Sequence, residues 1–442
     1  MCGIAWAHSC SICFAQGTKR HCYDKGLVQG SAIRKIDYFC SGIDMTVQKD
    51  IIMRLKSLQI KNFRNYKDYN IQLGGKTTIL IGKNGSGKTN LISAMVKSLS
   101  FIFSKQKDQE QYDFIASSDQ SIKGYKATDA RYGLSGNGFD YIYPVSIEAE
   151  GLTEQDSLLW KMEQETAKSG LKDSLYKNAY NSFWNYYNTI SKKPVFAYFS
   201  DSFPHIKTNM SQKMKERLES GNPLPQNSGY YKWDEETNCV DIWVQYFTMQ
   251  WMNNKMQFDA QKDKYVKCVV NTLRNFSRQV ADTKKLDNFE IKDLVVELRG
   301  KTSELIVEYN NGSRVPFANL PQGYRRIYSI VFDIANRSYM LNGNCTPEGI
   351  VLIDEIELHL HPSLAKDIYR GFRETFPRIQ FIISTHSPLV ITNYKQDDDN
   401  VLYKLYYDEE SGFYKNERIL DIYGIDYNSS LVDVMETPHT NV

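Results

Sequence analysis

Residues 76–95 constrain this chain more than any other stretch. Thr78, Ile79, Leu80 and Ile81 read as a buried strand, and Leu91, Ile92, Ala94 and Met95 begin a helix. Between them stands Gly82-Lys83-Asn84-Gly85-Ser86-Gly87-Lys88-Thr89, which fills every position of G-x-x-x-x-G-K-[ST]. Glycines let successive backbone N–H groups turn inward around a phosphate, and the helix N-terminus adds its partial positive charge. Lys88 can then reach the β- and γ-phosphates, and the Thr89 hydroxyl can hold Mg2+. A plain glycine turn between strand and helix needs none of this spacing. The stretch implies a nucleoside-triphosphate site, with ATP and Mg2+ as the expected cofactors.

A second cluster lies far along the chain. Ile350 to Ile353 is a continuous apolar run, as in a buried parallel strand, and it ends in Asp354-Glu355. That is a Walker B arrangement. Asp354 can join the Mg2+ shell, and Glu355 can orient or deprotonate the attacking water. Arg378 to Ile383 reads as another buried strand, ending in Ser384 to Pro388, which places His386 to sense the γ-phosphate. His359 and His361 suit a segment that crosses a dimer interface. As metal ligands they are disfavoured by the interleaved Leu358 and Leu360 and by Pro362, which starts a helix. Upstream, Asn319 to Arg326 opens a helix expected over Arg325–Leu341, where an ABC signature, Leu-Ser-x-Gly, should lie. Pro321 stands in the Ser position, so the hydroxyl that touches a partner's γ-phosphate is missing. Gln322, Gly323 and the helix N-terminus remain to hold phosphate. Binding of ATP between two copies stays open, and slow hydrolysis is expected.

The rest of the chain frames these motifs. Arg54 to Ile60 alternates polar and apolar residues, the period of a half-buried strand. A second strand is expected near Asn70–Leu73, and Gly74-Gly75 turns the chain into the phosphate-loop strand. This opening looks like the start of an ABC-type ATPase head. Phe63 or Tyr66 either stacks on the nucleobase or packs in the core. Residues 104–138 are polar and turn-rich, a surface excursion. Strands are expected at Tyr141–Glu150 and Pro194–Phe199. The stretch Thr153–Ser191 is expected to be mostly helical, from Leu158, Leu159 and Met162 and from Leu175, Tyr176, Tyr180, Phe183 and Trp184. Helices follow over Val240–Met256 and Asp259–Thr283, then strands Phe289–Leu298 and Ser303–Tyr309. No heptad repeat is sustained, and Pro194, Pro204 and Pro223 interrupt the insert, which excludes a long coiled-coil arm. The fold class is therefore α/β: an ABC-type ATPase head, a mixed sheet with flanking helices, interrupted by a compact, mainly helical insert. Residues 1–52 form an N-terminal extension expected to be poorly ordered. Residues 53–103 and 288–400 form the head, 104–287 the insert and 401–442 a C-terminal segment.

Composition narrows the setting. The 442 residues are 41% hydrophobic, and no apolar run approaches the ~18 residues of a membrane span. No signal-peptide pattern is present, so no membrane and a cytoplasmic location are expected. Fifty-four basic against fifty-two acidic residues give no vote for nucleic acid. Cys10-x-x-Cys13 with His21 and Cys22 supplies four potential zinc ligands, but the spacing is irregular and no strand or helix pattern frames it. A poorly ordered extension in a reducing compartment is the better reading. Met53, just before the first convincing strand, agrees with it. The acidic run Asp397 to Asp399 reads as a solvated loop rather than a metal site.

Together, Gly82–Thr89, Leu320–Tyr324, Ile353–Pro362 and Ser384–Pro388 resemble the ABC-like ATPases of bacterial antiphage systems. The nearest match is the Septu-type (PtuA-like) ATPase, including the version that accompanies some retrons. The resemblance covers roughly residues 54–400 and leaves residues 1–52 outside it. Tyr423 to Asn428 also looks familial, and members commonly continue where this chain stops, so an incomplete C-terminus is expected. The resemblance implies a homodimer or higher homo-oligomer closed through the ATP sites, holding a separate HNH-type nuclease. In the retron version, a reverse transcriptase with its RNA-linked DNA restrains the effector. Three of the seven histidines sit in the ATP-site motifs and the others form no HNH constellation, so this chain is not expected to cut DNA alone. The alternative is an ATP-dependent DNA-binding clamp of recombination and repair. That reading needs a basic stripe, for which Lys207, Lys213, Lys215 and Arg217 are the candidates. A decayed scaffold is opposed by Lys88, Asp354, Glu355 and His386.

Overall fold

The computed structural model describes residues 53–103, 124–153, 157–189, 192–204, 210–281 and 289–420, apart from residues 137, 221–222, 236–238, 257–259, 300–301 and 393. It also describes two strands nearer the N-terminus, Phe14–Gln16 and Lys19–His21. The chain falls into two units, Met1–Lys49 and Asp50–Val442. In the first, the two short strands pair antiparallel, with Phe14 opposite His21. Cys10, Cys13 and Cys22 of the zinc reading lie outside the described residues, as do Lys207 and the stretch Tyr423 to Asn428.

The second unit opens with Arg54–Phe63 (β1) and Tyr66–Gln72 (β2), an antiparallel pair that begins four residues earlier than expected in its second strand. Leu55, Leu58, Ile60 and Phe63 of β1 are buried, and the strict alternation is broken by a register shift between Leu55 and Ser57 and by the positive φ of Asn62. Thr77–Ile81 (β3) is buried at every residue and feeds the phosphate loop, then the helix Lys88–Leu99 (α1). Arg131–Ser135 (β4) and Gly138–Ile142 (β5) form a separate hairpin. Val145–Leu152 (β6) follows as a strand of its own, because Pro144, which has no N–H to donate, separates it from β5.

Thr153–Ser191 departs from expectation. Ser157–Gln164 (β7) is a strand paired along its length with β6, and among the described residues the helical part is Lys177–Thr189 (α2) with a short 3-10 turn at Asp173–Leu175 before it. Leu158, Trp160 and Met162 are buried while Leu159 is 66% exposed. The working period is thus two, through Trp160, rather than the helical spacing through Leu159. The antiparallel sheet runs β2-β1-β6-β7.

Val195–Phe199 (β8) is followed by the helices Gln212–Glu219 (α3), Val240–Met256 (α4) and Ala260–Ala281 (α5). Ile291–Arg299 (β9), Thr302–Tyr309 (β10) and Arg314–Pro316 (β11) make a three-stranded antiparallel sheet. Gln322–Asn342 (α6) is buried along most of its length, its polar face included, where Arg337 pairs with Asp333. After it come Gly349–Ile353 (β12), Pro362–Thr375 (α7), Ile379–Ser384 (β13), the short Pro388–Ile391 (α8), Asn400–Asp408 (β14) and Phe413–Ile419 (β15). Cys268 of α5 is disulfide-bonded to Cys345, just beyond α6.

The central sheet has the order β8-β12-β13-β3-β14-β15. Its strands are parallel except β15, which pairs antiparallel with β14. Strands from within residues 104–287 therefore complete both sheets of the head, and α2 to α5 are the α-helices among the described residues of that segment. Gln380 of β13, 1% exposed, joins the sheets: its side chain accepts from the Leu55 N–H at 2.8 Å and donates to the carbonyls of Leu55 (2.8 Å) and Gly74 (2.7 Å). Asp399 does not stand free in solvent. It pairs with Lys76 at 3.0 Å and with Arg54 at 3.8 Å.

Candidate nucleotide site

The register of the central sheet brings four strand ends to one edge. Phe199 lies opposite Ile353, Ile353 opposite Ile383, and Ser384 opposite Leu80. The carboxyl ends of parallel strands are where such sheets place ligands, because the loops that leave there diverge and open a crevice.

The phosphate loop leaves β3 at that edge. Gly82, Gly85 and Gly87 all have positive φ (150°, 80° and 100°). At Gly87 a side chain is also excluded by space, since a Cβ there would lie 2.5 Å from the Tyr66 hydroxyl. Tyr66 donates instead to the Gly87 carbonyl at 3.0 Å, and Asn65 accepts from Asn90 of α1 at 2.9 Å, so the β1–β2 turn braces the loop from behind. Phe63 and Tyr66 are 0% and 1% exposed. Both are core aromatics, and neither offers a face for base stacking.

Lys83, Asn84, Gly85 and Thr89 are exposed, while Ser86 and Lys88 are buried. The Lys88 ammonium donates to the loop's own carbonyls, at Gly82 (2.8 Å) and Lys83 (3.1 Å), and lies 3.4 Å from the Ser86 hydroxyl. Burial lowers its pKa to about 8, opposed by the carboxylates of Asp354, Glu355 and Glu357. The cation is thus held beneath the loop, facing three acidic side chains.

Asp354 is 1% exposed at the end of β12. Its Oδ1 accepts from the Ser384 hydroxyl, and its Oδ2 is buried without a partner. A buried carboxylate oxygen left bare is costly, and a cation is the natural group to satisfy it. Among the described residues no group of three or more His, Cys, Asp or Glu side chains is arranged as a metal cage. The bare Asp354 oxygen and the exposed Thr89 fit Mg2+, which takes few protein ligands and completes its shell with water and phosphate. Glu355 follows with a positive φ of 52°, rare for a non-glycine residue, and its N–H donates to the Ser384 hydroxyl at 2.9 Å. Burial, then the neighbouring Asp354, Glu357 and Asp201, raise its carboxyl above the usual range. Its Oε1 lies 3.6 Å from Nε2 of His386. Burial and the Lys88 charge lower the pKa of His386, so its imidazole is neutral at pH 7.

The signature segment behaves differently. Pro321 is the residue that precedes α6, and no side chain caps that helix start. Its first N–H groups therefore lack the side-chain partner usually found there. Pro321 and Gln322 are exposed, whereas Gly323 is buried: a Cβ on it would lie 2.4 Å from the His359 carbonyl. His359 itself has a positive φ of 64°. His361 precedes α7 and accepts from the Ser363 N–H at 3.2 Å, the work of a helix cap.

Three groups at the site go beyond the motif residues. Arg326, 0% exposed, donates to the carbonyls of Ser200 (2.9 Å), Phe203 and Asp354 (2.7 Å), tying the first turns of α6 to the ends of β8 and β12. Burial lowers its pKa to about 10, so it stays charged. Asp201, just past β8, adds a further carboxylate near Glu355. Glu357 binds Thr385 and His386. Glu357 has a readable signal, an acid two residues after Glu355 at a strand end. The acceptors of Arg326 are carbonyls, which no residue type advertises.

A phosphate loop on one parallel strand, with His386 and Asp354-Glu355 at the ends of the next two, defines an ATPase head of ABC type. The chain belongs to the AAA ATPase domain family, whose model it matches over residues 53–391. It is 24% identical over 397 residues to the Retron Vc95 probable ATPase of Vibrio cholerae serotype O1 biovar El Tor, a match that covers 80% of this chain and 74% of that protein. Over 99 residues it is 44% identical to the Retron Ec83 probable ATPase of Escherichia coli (22% of this chain, 18% of that one). Over 106 residues it is 33% identical to the Septu protein PtuA of Bacillus mycoides strain KBAB4 (24% and 15%). The resemblance to Septu- and retron-type ATPases read from the motifs is borne out by these relatives. No helix of the described residues is long and apolar enough to cross a membrane.

Proposed function

We propose that this chain hydrolyses ATP slowly while closed against a second copy of itself, and that the closed form controls a partner HNH-type nuclease in an antiphage assembly. In the retron-type arrangement, a reverse transcriptase with its RNA-linked DNA holds that effector in check. The observation that carries the reading is the convergence of Lys88, the unpartnered Asp354 Oδ2, Glu355 and His386 at one sheet edge. The names of the retron and Septu relatives support the setting.

In this reading Gly82–Thr89 cradle the phosphates, and Lys88 exchanges its bonds to the loop carbonyls for phosphate oxygens. Thr89 and Asp354 would hold Mg2+, which when bound would offset the charge of the phosphates. Glu355, its carboxyl held above the usual range by burial and the neighbouring carboxylates, takes the proton of the attacking water. Neutral His386 orients that water or the γ-phosphate. The exposed Gln322 and the uncapped start of α6 in the opposing copy face the phosphates from the other side, while the buried Gly323, expected from the sequence to help, packs against His359 instead. The missing signature hydroxyl at Pro321 keeps turnover slow.

The test is mass in solution with and without ATP and Mg2+, for the wild type and for Glu355→Gln. The expected result is a mass that rises with ATP and stays high in Glu355→Gln. A mass that ignores nucleotide although ATP binds would replace the clamp with a preassembled scaffold.

A further inference from the structure

Glu357 lies in the stretch Ile353–Pro362 but carries none of the roles read there, and both of its carboxylate oxygens are directed at the segment Ser384–Pro388. Its Oε2 accepts from the Thr385 hydroxyl at 2.7 Å and its Oε1 from the His386 N–H at 2.7 Å. The Thr385 hydroxyl in turn accepts from the Ser387 N–H at 3.0 Å. The Thr385 N–H is held by Leu80 at 3.0 Å, so the end of β13 is fixed by the sheet without help. What Glu357 adds comes one residue later. His386 has left the strand, and the Glu357 carboxylate takes up its N–H. Two hydrogen bonds accepted by one planar group fix its orientation as well as its distance. The imidazole carried by that backbone faces Glu355 at 3.6 Å.

We propose that Glu357 is a positioning residue for His386. It acts on the reaction through the backbone of the switch segment and touches neither nucleotide nor attacking water. The proposal rests on the reading of the site as an ATPase. It adds a requirement which that reading does not contain: the oxygen atoms of Glu357 matter, and its charge does not.

The experiment is steady-state ATP hydrolysis by the full chain, with nucleotide binding and thermal melting as controls for folding. Glu357→Met keeps the bulk and removes both acceptors. It should lower kcat about tenfold or more while KM for ATP changes less than about twofold. Glu357→Gln keeps an oxygen for the His386 N–H and should recover most of the lost rate. In a His386→Ala background, Glu357→Met should cost less than about twofold further, because residues that act as a unit are not additive. Should Glu357→Met fail to fold, Thr385→Val loosens the carboxylate from its other side. Its loss of kcat should likewise vanish in the His386→Ala background. Equal losses in both backgrounds, or a Gln variant as poor as the Met variant, overturn the positioning role and leave the ATPase reading intact. No hydrolysis by the wild type overturns both.

Discussion

Glu355 and His386 stand 3.6 Å apart, carboxylate to imidazole, on the ends of neighbouring parallel strands. Both side chains are about a third exposed, at 31% each, so the pair is reachable from solvent while its backbones are locked by Ser384 and Glu357. The Glu355 pKa is raised and that of His386 is lowered, which draws both toward their neutral forms. Such a pair suits proton movement better than a fixed ion pair would.

Lys88→Met should separate binding from folding. The wild-type ammonium is nearly buried and bonded only to loop oxygens, so removing it trades lost hydrogen bonds against relieved burial of charge. Stability without nucleotide should change by no more than about 1 kcal/mol. The rise in Tm that ATP gives the wild type should disappear, since it reports ligand bound to the folded state.

Gly323→Ala should disturb the contact between α6 and the segment after β12. The added Cβ meets the His359 carbonyl at 2.4 Å, which is backbone and cannot rotate away. A loss of about 1–3 kcal/mol is expected from denaturant unfolding. Gly312→Ala has open space and should owe its smaller cost to its φ of 83° alone.

Pro321→Ser should do two things. A serine hydroxyl at this position can accept from the open N–H groups of α6, worth about 1 kcal/mol in a melt. It also restores the missing signature hydroxyl, so the ATPase rate should rise, and rise more steeply with protein concentration than in the wild type. A rate unchanged at all concentrations would remove Pro321 as the cause of slow turnover.

Trp160→Ala and Leu159→Ser test the strand Ser157–Gln164. Trp160, 1% exposed, donates to the Ser98 carbonyl at 2.7 Å, and its loss should cost about 3–5 kcal/mol. Leu159, 66% exposed, should change stability by less than about 0.5 kcal/mol. A helix facing inward through Leu159 would reverse that order.

The phosphate loop and the two strands that carry Asp354-Glu355 and His386 are legible in the sequence because each is a contiguous run whose chemistry tolerates few substitutes, whereas β14, which also flanks the phosphate-loop strand, is not legible there. Four-residue apolar blocks such as Ile350 to Ile353 point to buried parallel strands for the same reason. Ser157–Gln164 is not legible in this way. Leu158 and Leu159 are adjacent, Met162 completes a helical triplet, and the competing alternation through Trp160 becomes decisive only when β6 lies alongside. Phe63 and Tyr66 could serve a base or a core equally well until the turn that carries them is seen to back onto Gly87. Arg326 lies beyond sequence reading altogether, because its partners are the carbonyls of residues far away in the chain.

Gln380 has a consequence for how this subunit can move. One side chain rivets the antiparallel sheet to the parallel one, with three hydrogen bonds in a dry seam. Shear between the sheets would break all three at once and expose none of them to water. The seam is therefore not a hinge. In the proposed dimer, strain generated at the phosphates cannot be absorbed there, and the whole head must tilt as one body against its neighbour.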